Sequence, residues 1–407
     1  MKCRHCATPL VDTFLDLGFA PPSNAYLTED KLCLLEKYFP LKINVCSNCW
    51  LVQTEDYAQA EELFSPDYAY FSSTSTSWLA HAKHYTEVMI DRLGLSEASH
   101  VIEVASNDGY LLKNFLAAGI PCLGIEPTAS TAAAAEHLQI PVLREFFSEA
   151  LGKKLALKGK QADLIIGNNV YAHVPDINDF TLGLKAVLKP GGTLTLEFPH
   201  LMEMMEHNQF DTVYHEHFSY LSLHTVKCIF EAAGLRLWDV EQISTHGGSL
   251  RVFGCHAEDT RQTTPLVQAL HAKELRRGLQ CMATYKSFQV QANRVKDDLL
   301  AFLIEQKRAG KKVAAYGAAA KGNTLLNYAG VKPDLLPFVS DAASAKQEKF
   351  MPGSHIPILP PSALVKFNPD FVLILPWNIA EEVKSQLKKL VTKNTKFVTA
   401  VPELQIA

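Results

Sequence analysis

Two Cys-x-x-Cys pairs, Cys3 with Cys6 and Cys46 with Cys49, constrain this chain more than any other feature. Each pair turns the backbone within four residues and presents two thiolates. Four thiolates from two such turns suit a tetrahedral zinc ion. The stretch between the pairs is longer than in a minimal ribbon, and an extended return over Pro40 to Val45 would close it. With cysteine at all four positions no open coordination site remains, so the expected zinc is structural. His5 stands beside the first pair and reads as a bystander. The other five cysteines are scattered. An odd total of nine, with no apolar signal region behind Met1 to Cys6, argues against a disulfide framework.

The 407 residues exceed one ordinary core and allow two or three domains. No apolar run is long enough to cross a bilayer, and the chain reads as cytoplasmic, without membrane association. Lysine plus arginine number 39 against 43 aspartate plus glutamate. A net charge of -4 without a basic stripe argues against nucleic acid as a partner, while leaving room for a local phosphate pocket.

After a turn-rich first segment the pattern becomes Rossmann-like. Apolar strands are expected at Val101 to Ala105, Cys122 to Ile125, Pro141 to Leu143, Asp163 to Gly167 and Thr193 to Phe198. Helices are expected between them, such as Tyr110 to Ala118 and Ser130 to Leu138. Such alternation implies a parallel sheet covered on both faces. Leu235 to Ile243 and Ser249 to His256, joined by Thr245-His246-Gly247-Gly248, read as a terminal antiparallel hairpin. One or two helices should fill Thr263 to Arg308. A second α/β unit should begin at Lys312, with strands at Val313 to Tyr316, Leu336 to Ser340 and Phe371 to Leu375 and a helix from near Asn323. The expected α/β architecture is a zinc-binding domain (1–65), a Rossmann-like domain (66–258), a helical connection (259–308) and a second, C-terminal Rossmann-like α/β domain (309–407).

Glu103-Val104-Ala105-Ser106-Asn107-Asp108-Gly109 runs from a strand into a small-residue turn and then a helix, where a ligand can approach the backbone. It is not G-x-G-x-x-G, so a nicotinamide fingerprint is absent. The turn resembles the first motif of S-adenosylmethionine-dependent methyltransferases, E-x-G-x-G-x-G, with Ala105 and Asn107 in place of two glycines. Glu126, in Gly124-Ile125-Glu126-Pro127, ends the next strand, where a carboxylate can accept both ribose hydroxyls. Asn168 and Asn169 end the fourth strand and would face the amino-acid part of the cofactor. Phe147 is a candidate neighbour of adenine, or a core aromatic.

Tyr214-His215-Glu216-His217-Phe218-Ser219-Tyr220 is the densest run of titratable groups in the chain. C-methylation needs a base to remove a proton next to a carbonyl, and an imidazole titrates in the right range. A neighbouring carboxylate can orient it, and a tyrosine can donate to the oxyanion. His173, after strand four, should share the cavity. The run Tyr68-Ala69-Tyr70-Phe71-Ser72-Ser73-Thr74-Ser75 can serve as a lid.

Taken in order, these segments and His246-Gly247-Gly248-Ser249-Leu250-Arg251 resemble the sugar C-methyltransferases that act on nucleotide-linked deoxysugars, over nearly the entire chain. The resemblance implies S-adenosylmethionine as methyl donor, zinc as structural metal and His217 as general base. Tyr214, Glu216, His173 and Tyr68 or Tyr70 would then line the sugar site. It implies that Lys321, Gly322 and Asn323, in the loop Gly317 to Asn323, hold a nucleotide diphosphate, usually thymidine diphosphate, with Asp341 at the border of that cleft. The implied substrate is a 4-keto deoxysugar nucleotide methylated at C-3 through an enolate. O- or N-methylation of such a sugar, and a non-catalytic zinc-containing nucleotide-sugar-binding protein, are the alternatives. The oligomeric state stays open, a monomer included.

Overall fold

Bulges shape the first strand. In Asp12–Ala20 (β1) the register slips between Thr13 and Leu15, so Phe14 and Leu15 are both buried where strict alternation would expose one. The computed structural model describes residues 1–55, 57 and 71–407, so the expected Tyr68 and Tyr70 lie outside the described residues. β1 pairs antiparallel with Phe39–Val45 (β2), the expected return segment, which pairs with Val52–Thr54 (β3).

Helix Thr76–Leu93 leads into a second sheet. Its parallel strands are Val101–Val104 (β4), Cys122–Ile125 (β5), Val142–Leu143 (β6), Ala162–Asn168 (β7) and Leu188–Pro199 (β8). Ser219–Tyr220 (β9) follows, then Leu235–Ile243 (β10) and Ser249–His256 (β11), which form the expected hairpin. The order β10-β11-β8-β7-β4-β5-β6 reverses at β4, so ligands are expected at the C-terminal ends of β4 and β7. This is the strand order of a Rossmann-like methyltransferase with its terminal antiparallel hairpin.

β9 does not join that sheet. It pairs antiparallel with β3 (Val52 with Tyr220, Gln53 with Ser219) and completes a four-stranded N-terminal sheet, β1-β2-β3-β9. A strand just after His217 therefore belongs to the unit that carries the cysteines.

The connection contains three helices rather than the expected one or two: Pro265–Arg276, Met282–Lys286 and Phe288–Arg308. Gly278, at φ +80°, and the extended Cys281 end the helical run that composition alone would continue. Phe14 stacks on Phe288 at 4.8 Å, so the N-terminal sheet rests on the long helix. That helix shares one apolar core with the third sheet. The third sheet comprises Val313–Tyr316 (β12), Val339–Ser340 (β13), Ile358–Leu359 (β14), Phe371–Ile374 (β15), Lys396–Thr399 (β16) and Gln405–Ile406 (β17). Its order is β14-β13-β12-β15-β16-β17. The helix expected near Asn323 begins earlier, at Ala320. Among the described residues no helix is long and apolar enough to cross a membrane.

Candidate functional site

The four paired cysteines converge. Cys3 and Cys49 Sγ are 3.5 Å apart, Cys6 and Cys46 3.5 Å, and Cys6 and Cys49 3.6 Å. A tetrahedral ion with Zn–S bonds of about 2.3 Å needs sulfurs about 3.8 Å apart, so the donor set fits zinc. Each pair is followed by a residue in the left-handed region, Ala7 (φ +59°) and Trp50 (φ +62°), which closes the turn over the sulfurs. His5 turns away, with Nδ1 2.8 Å from Asn178 Oδ1. Gln53 donates to Cys3 Sγ at 3.2 Å, and the Arg4 backbone amide donates to Gln53 Oε1 at 2.8 Å.

At the C-terminal end of β4 the turn adopts positive φ at Ala105 (+56°), Asn107 (+51°) and Gly109 (+77°). These are the three glycine positions of the generic motif, so the backbone keeps the motif's shape although two of its glycines are replaced. Asparagine tolerates that region, whereas alanine is strained there. The surroundings hold the turn. Glu126 is buried and accepts the amides of Asn107 at 3.0 Å and Thr128 at 2.9 Å. The side chains of Asn107 and Asp108 accept the amides of Ser72 and Ser73, each at 3.0 Å, which docks the end of the expected lid on the turn.

Buried polar atoms with no partner among the described residues gather here: Glu103 Oε2, Ser106 Oγ, Asp108 Oδ1 and both amide atoms of Asn168. Orphaned groups of this kind call for a polar ligand, and the cradle fits the cofactor of the resembling family. Burial, with Glu126 and Asp108 nearby, pushes the Glu103 carboxyl well above the usual range. Asn169 (φ +52°) brings its amide nitrogen to 3.2 Å from His246 Nε2. Phe147, partly buried, packs edge-on to Phe180 at 5.2 Å at the margin of the central core.

In the reaction-centre segment His217 Nδ1 lies 2.9 Å from the Thr212 carbonyl oxygen. Because a carbonyl only accepts, Nδ1 carries the proton and Nε2 keeps a lone pair. No hydrogen bond to that Nε2 occurs among the described residues. The ring faces Tyr214 at 4.0 Å and His173 at 4.6 Å between centroids. Burial first, then His173, His246 and Lys321, lower the His217 pKa well below the ordinary value. Burial holds His173 and His246 down to about 4. Three imidazoles are therefore uncharged at neutral pH.

The expectation that a neighbouring carboxylate orients the imidazole is corrected: the Thr212 carbonyl does so. The Glu216 carboxylate instead accepts from Asn24 Nδ2, at 2.8 and 2.9 Å, and its backbone oxygen accepts from His173 Nδ1 at 2.8 Å. His215 points elsewhere, toward the Phe39 carbonyl.

The C-terminal loop differs from expectation. Gly322 lies inside helix Ala320–Tyr328, and a Cβ there would sit 2.8 Å from the Leu375 side chain, so it serves close packing rather than a backbone cradle. Asp341 spends its carboxylate on the amides of Ala318 and Ala343, at 2.7 and 2.8 Å, and so fixes the loop. Lys321 Nζ donates to Asn378 Oδ1 at 2.8 Å and lies over the Trp377 ring at 4.5 Å. Asn323 is buried, with both side-chain amide atoms unpartnered among the described residues. Trp377 Nε1 donates to Asp211 Oδ2 at 2.7 Å, joining this unit to the segment before His217.

Asn24, Thr212 and His246 were not singled out as site residues in the sequence. Only His246 carried a signal, the Gly-Gly that follows it and permits its left-handed turn (φ +55°).

Known proteins match this arrangement along its length. A zinc binding domain family matches residues 3–64, a methyltransferase domain family residues 78–240, and the C-methyltransferase C-terminal domain family residues 244–402. C-methyltransferase NovU of Streptomyces niveus is 33% identical over 408 residues, covering 100% of this chain and 96% of NovU. An uncharacterized methyltransferase of Mycobacterium leprae is 30% identical over 98 residues, 24% of this chain and 36% of its own. Among solved structures, magnesium protoporphyrin IX methyltransferase of Synechocystis with bound SAM is 15% identical, with a TM-score of 0.33 over 44% of this chain and 80% of that one.

Proposed function

The chain belongs to the C-methyltransferase family, as an S-adenosylmethionine-dependent enzyme with a four-cysteine zinc site, and from that membership we propose that it methylates a ring carbon of a nucleotide-linked 4-keto deoxysugar. The carbon is C-3, next to the ketone, and the nucleotide is thymidine diphosphate. S-adenosylmethionine, when bound, supplies a methyl group activated by a sulfonium centre.

His217 Nε2 takes the proton from the carbon beside the ketone, and the electron pair left behind passes onto the carbonyl oxygen as an enolate. Thr212 fixes the tautomer that makes this possible. Tyr214 donates toward the developing oxyanion. His173, its Nδ1 committed to the Glu216 carbonyl, lines the sugar site and accepts a hydroxyl at Nε2. Glu216 accepts from a sugar hydroxyl, and Tyr68 or Tyr70 lines the sugar. Glu126 holds the ribose of the donor, and Asn168 and Asn169 its amino-acid end. Lys321 and Asn323 face the diphosphate. In this reading the chain divides near residues 65, 258 and 308.

One observation carries the proposal: an uncharged imidazole with Nδ1 committed and Nε2 without a hydrogen bond among the described residues, set against two further hydrogen-bonding rings. A panel of 4-keto sugar nucleotides incubated with S-adenosylmethionine, read by product mass and carbon NMR, tests substrate and position. Without the donor, solvent deuterium should enter the carbon beside the ketone. Methylated product without such exchange would indicate O- or N-methylation instead.

A further inference from the structure

We propose that Asn24 is a positioning residue of the reaction centre, its amide aiming the Glu216 carboxylate at the sugar. This inference rests on the substrate-site role assigned above to Glu216. Glu216 is 2% exposed, and a carboxylate withdrawn that far from water needs donors. Asn24 Nδ2 reaches Oε1 at 2.8 Å and Oε2 at 2.9 Å, spanning the carboxylate from one side. An amide fixes the direction of the charge without cancelling it, as a guanidinium or ammonium would. A carboxylate offers about four lone-pair sites, and the two bonds from Asn24 occupy two of them.

Asn24 is itself rigidly held, although it comes from the loop after β1, 192 residues before its partner. The loop closes on itself through the Ala25 amide to the Pro22 oxygen at 3.1 Å and the Tyr26 amide to the Asn24 oxygen at 2.9 Å. Tyr26 Oη donates to the Ala318 oxygen at 2.6 Å, and Leu27 and Phe350 exchange backbone hydrogen bonds at 3.0 and 2.8 Å. The loop is therefore wedged between Glu216 and the C-terminal loop Gly317 to Ala319. The N-terminal unit thus supplies the active site with a side chain as well as a metal-bound scaffold.

The test is a double-mutant cycle on the full-length zinc protein, assayed with the dTDP-linked 4-keto deoxysugar that the panel turns over fastest. Asn24→Ala should lower kcat/KM for the sugar by about 10- to 100-fold, as expected when a positioned group drifts by an ångström. S-adenosylmethionine affinity by calorimetry should hold. Asn24→Asp, the nearest variant in shape, should be worse than Asn24→Ala, because it sets one carboxylate against another. In a Glu216→Gln background Asn24→Ala should add at most about twofold.

If Glu216→Gln is impaired but Asn24→Ala costs the same in both backgrounds, or Asn24→Asp outperforms Asn24→Ala, Asn24 is structural and this inference falls while the function stands. If Glu216→Gln matches the wild type, the substrate role of Glu216 falls, and this inference with it.

Discussion

Gln53 donates its side-chain amide to Cys3 Sγ across 3.2 Å, and its main chain pairs with Ser219, two residues beyond His217. Thr54, next along, donates its hydroxyl to the His217 carbonyl oxygen at 3.2 Å, and its amide to the Phe218 oxygen at 3.2 Å. Cys3, strand β3 and the proposed catalytic segment thus form one hydrogen-bonded path.

Metal removal should therefore abolish turnover. Structural zinc contributes on the order of 10 kcal/mol to small sites, comparable with the whole stability of a typical domain. Chelation, or Cys49→Ser, is expected to loosen β3 and β9 and to lower the melting temperature. S-adenosylmethionine binding at the ends of β4 and β7 should persist within a few fold by calorimetry. A zinc-free protein with undiminished turnover would break the proposed path.

Replacing His217 with Asn should leave donor and sugar binding in place while kcat drops by roughly 10²–10⁴-fold, the usual range for a general base. Deuterium exchange at the carbon beside the ketone should vanish with it. Exchange at the wild-type rate would assign the proton to another group.

The pH profile follows from the sign of the shift. Burial, with His173, His246 and Lys321 nearby, lowers the His217 pKa, so the free base survives below the ordinary imidazole value of 6.5. The acid limb of kcat/KM should lie below pH 6.5, with a level rate above it. Removing the Lys321 charge with Lys321→Met should move that limb upward. A wild-type limb above 6.5 would mean that another group titrates.

Gly124 packs under the cofactor turn, where a Cβ would lie 2.5 Å from Ser106 Oγ and 3.0 Å from Ser106 Cβ. Gly124→Ala should cost about 1–3 kcal/mol of stability through overpacking and weaken S-adenosylmethionine binding by displacing Ser106. Thermal unfolding and calorimetry on the same preparation check both. Unchanged affinity would show that the turn tolerates the shift.

Strong local periodicity made the central sheet legible: β4, β5, β7, β8 and the β10–β11 hairpin fall within a few residues of their expected places. The cysteine pairs were legible because thiolate chemistry admits few other readings. Backbone shape was not. Ala105 and Asn107 hide a three-turn positive-φ pattern, which neighbours such as Glu126 impose from outside the motif. Contacts set by tertiary folding were also invisible, Asn24 to Glu216 above all, as was the choice of Thr212 to orient His217. In the third sheet β14 and β17, which were not expected, have two residues each, too short for any period.

Because residues 219–220 form the outer strand of a sheet begun at residue 12, the first 55 residues and the His217 segment should not be exchangeable separately between relatives. Recombination within the family would have to cut outside this lacing, beyond the hairpin that ends at His256. A chimera joined near residue 65 would inherit an edge cut to fit another protein's strand. Under the proposed function, working hybrids should accordingly pair a front half taken whole with a foreign C-terminal half, which makes the nucleotide proposed for Lys321 and Asn323 more easily transplanted than the sugar proposed to lie beside His217.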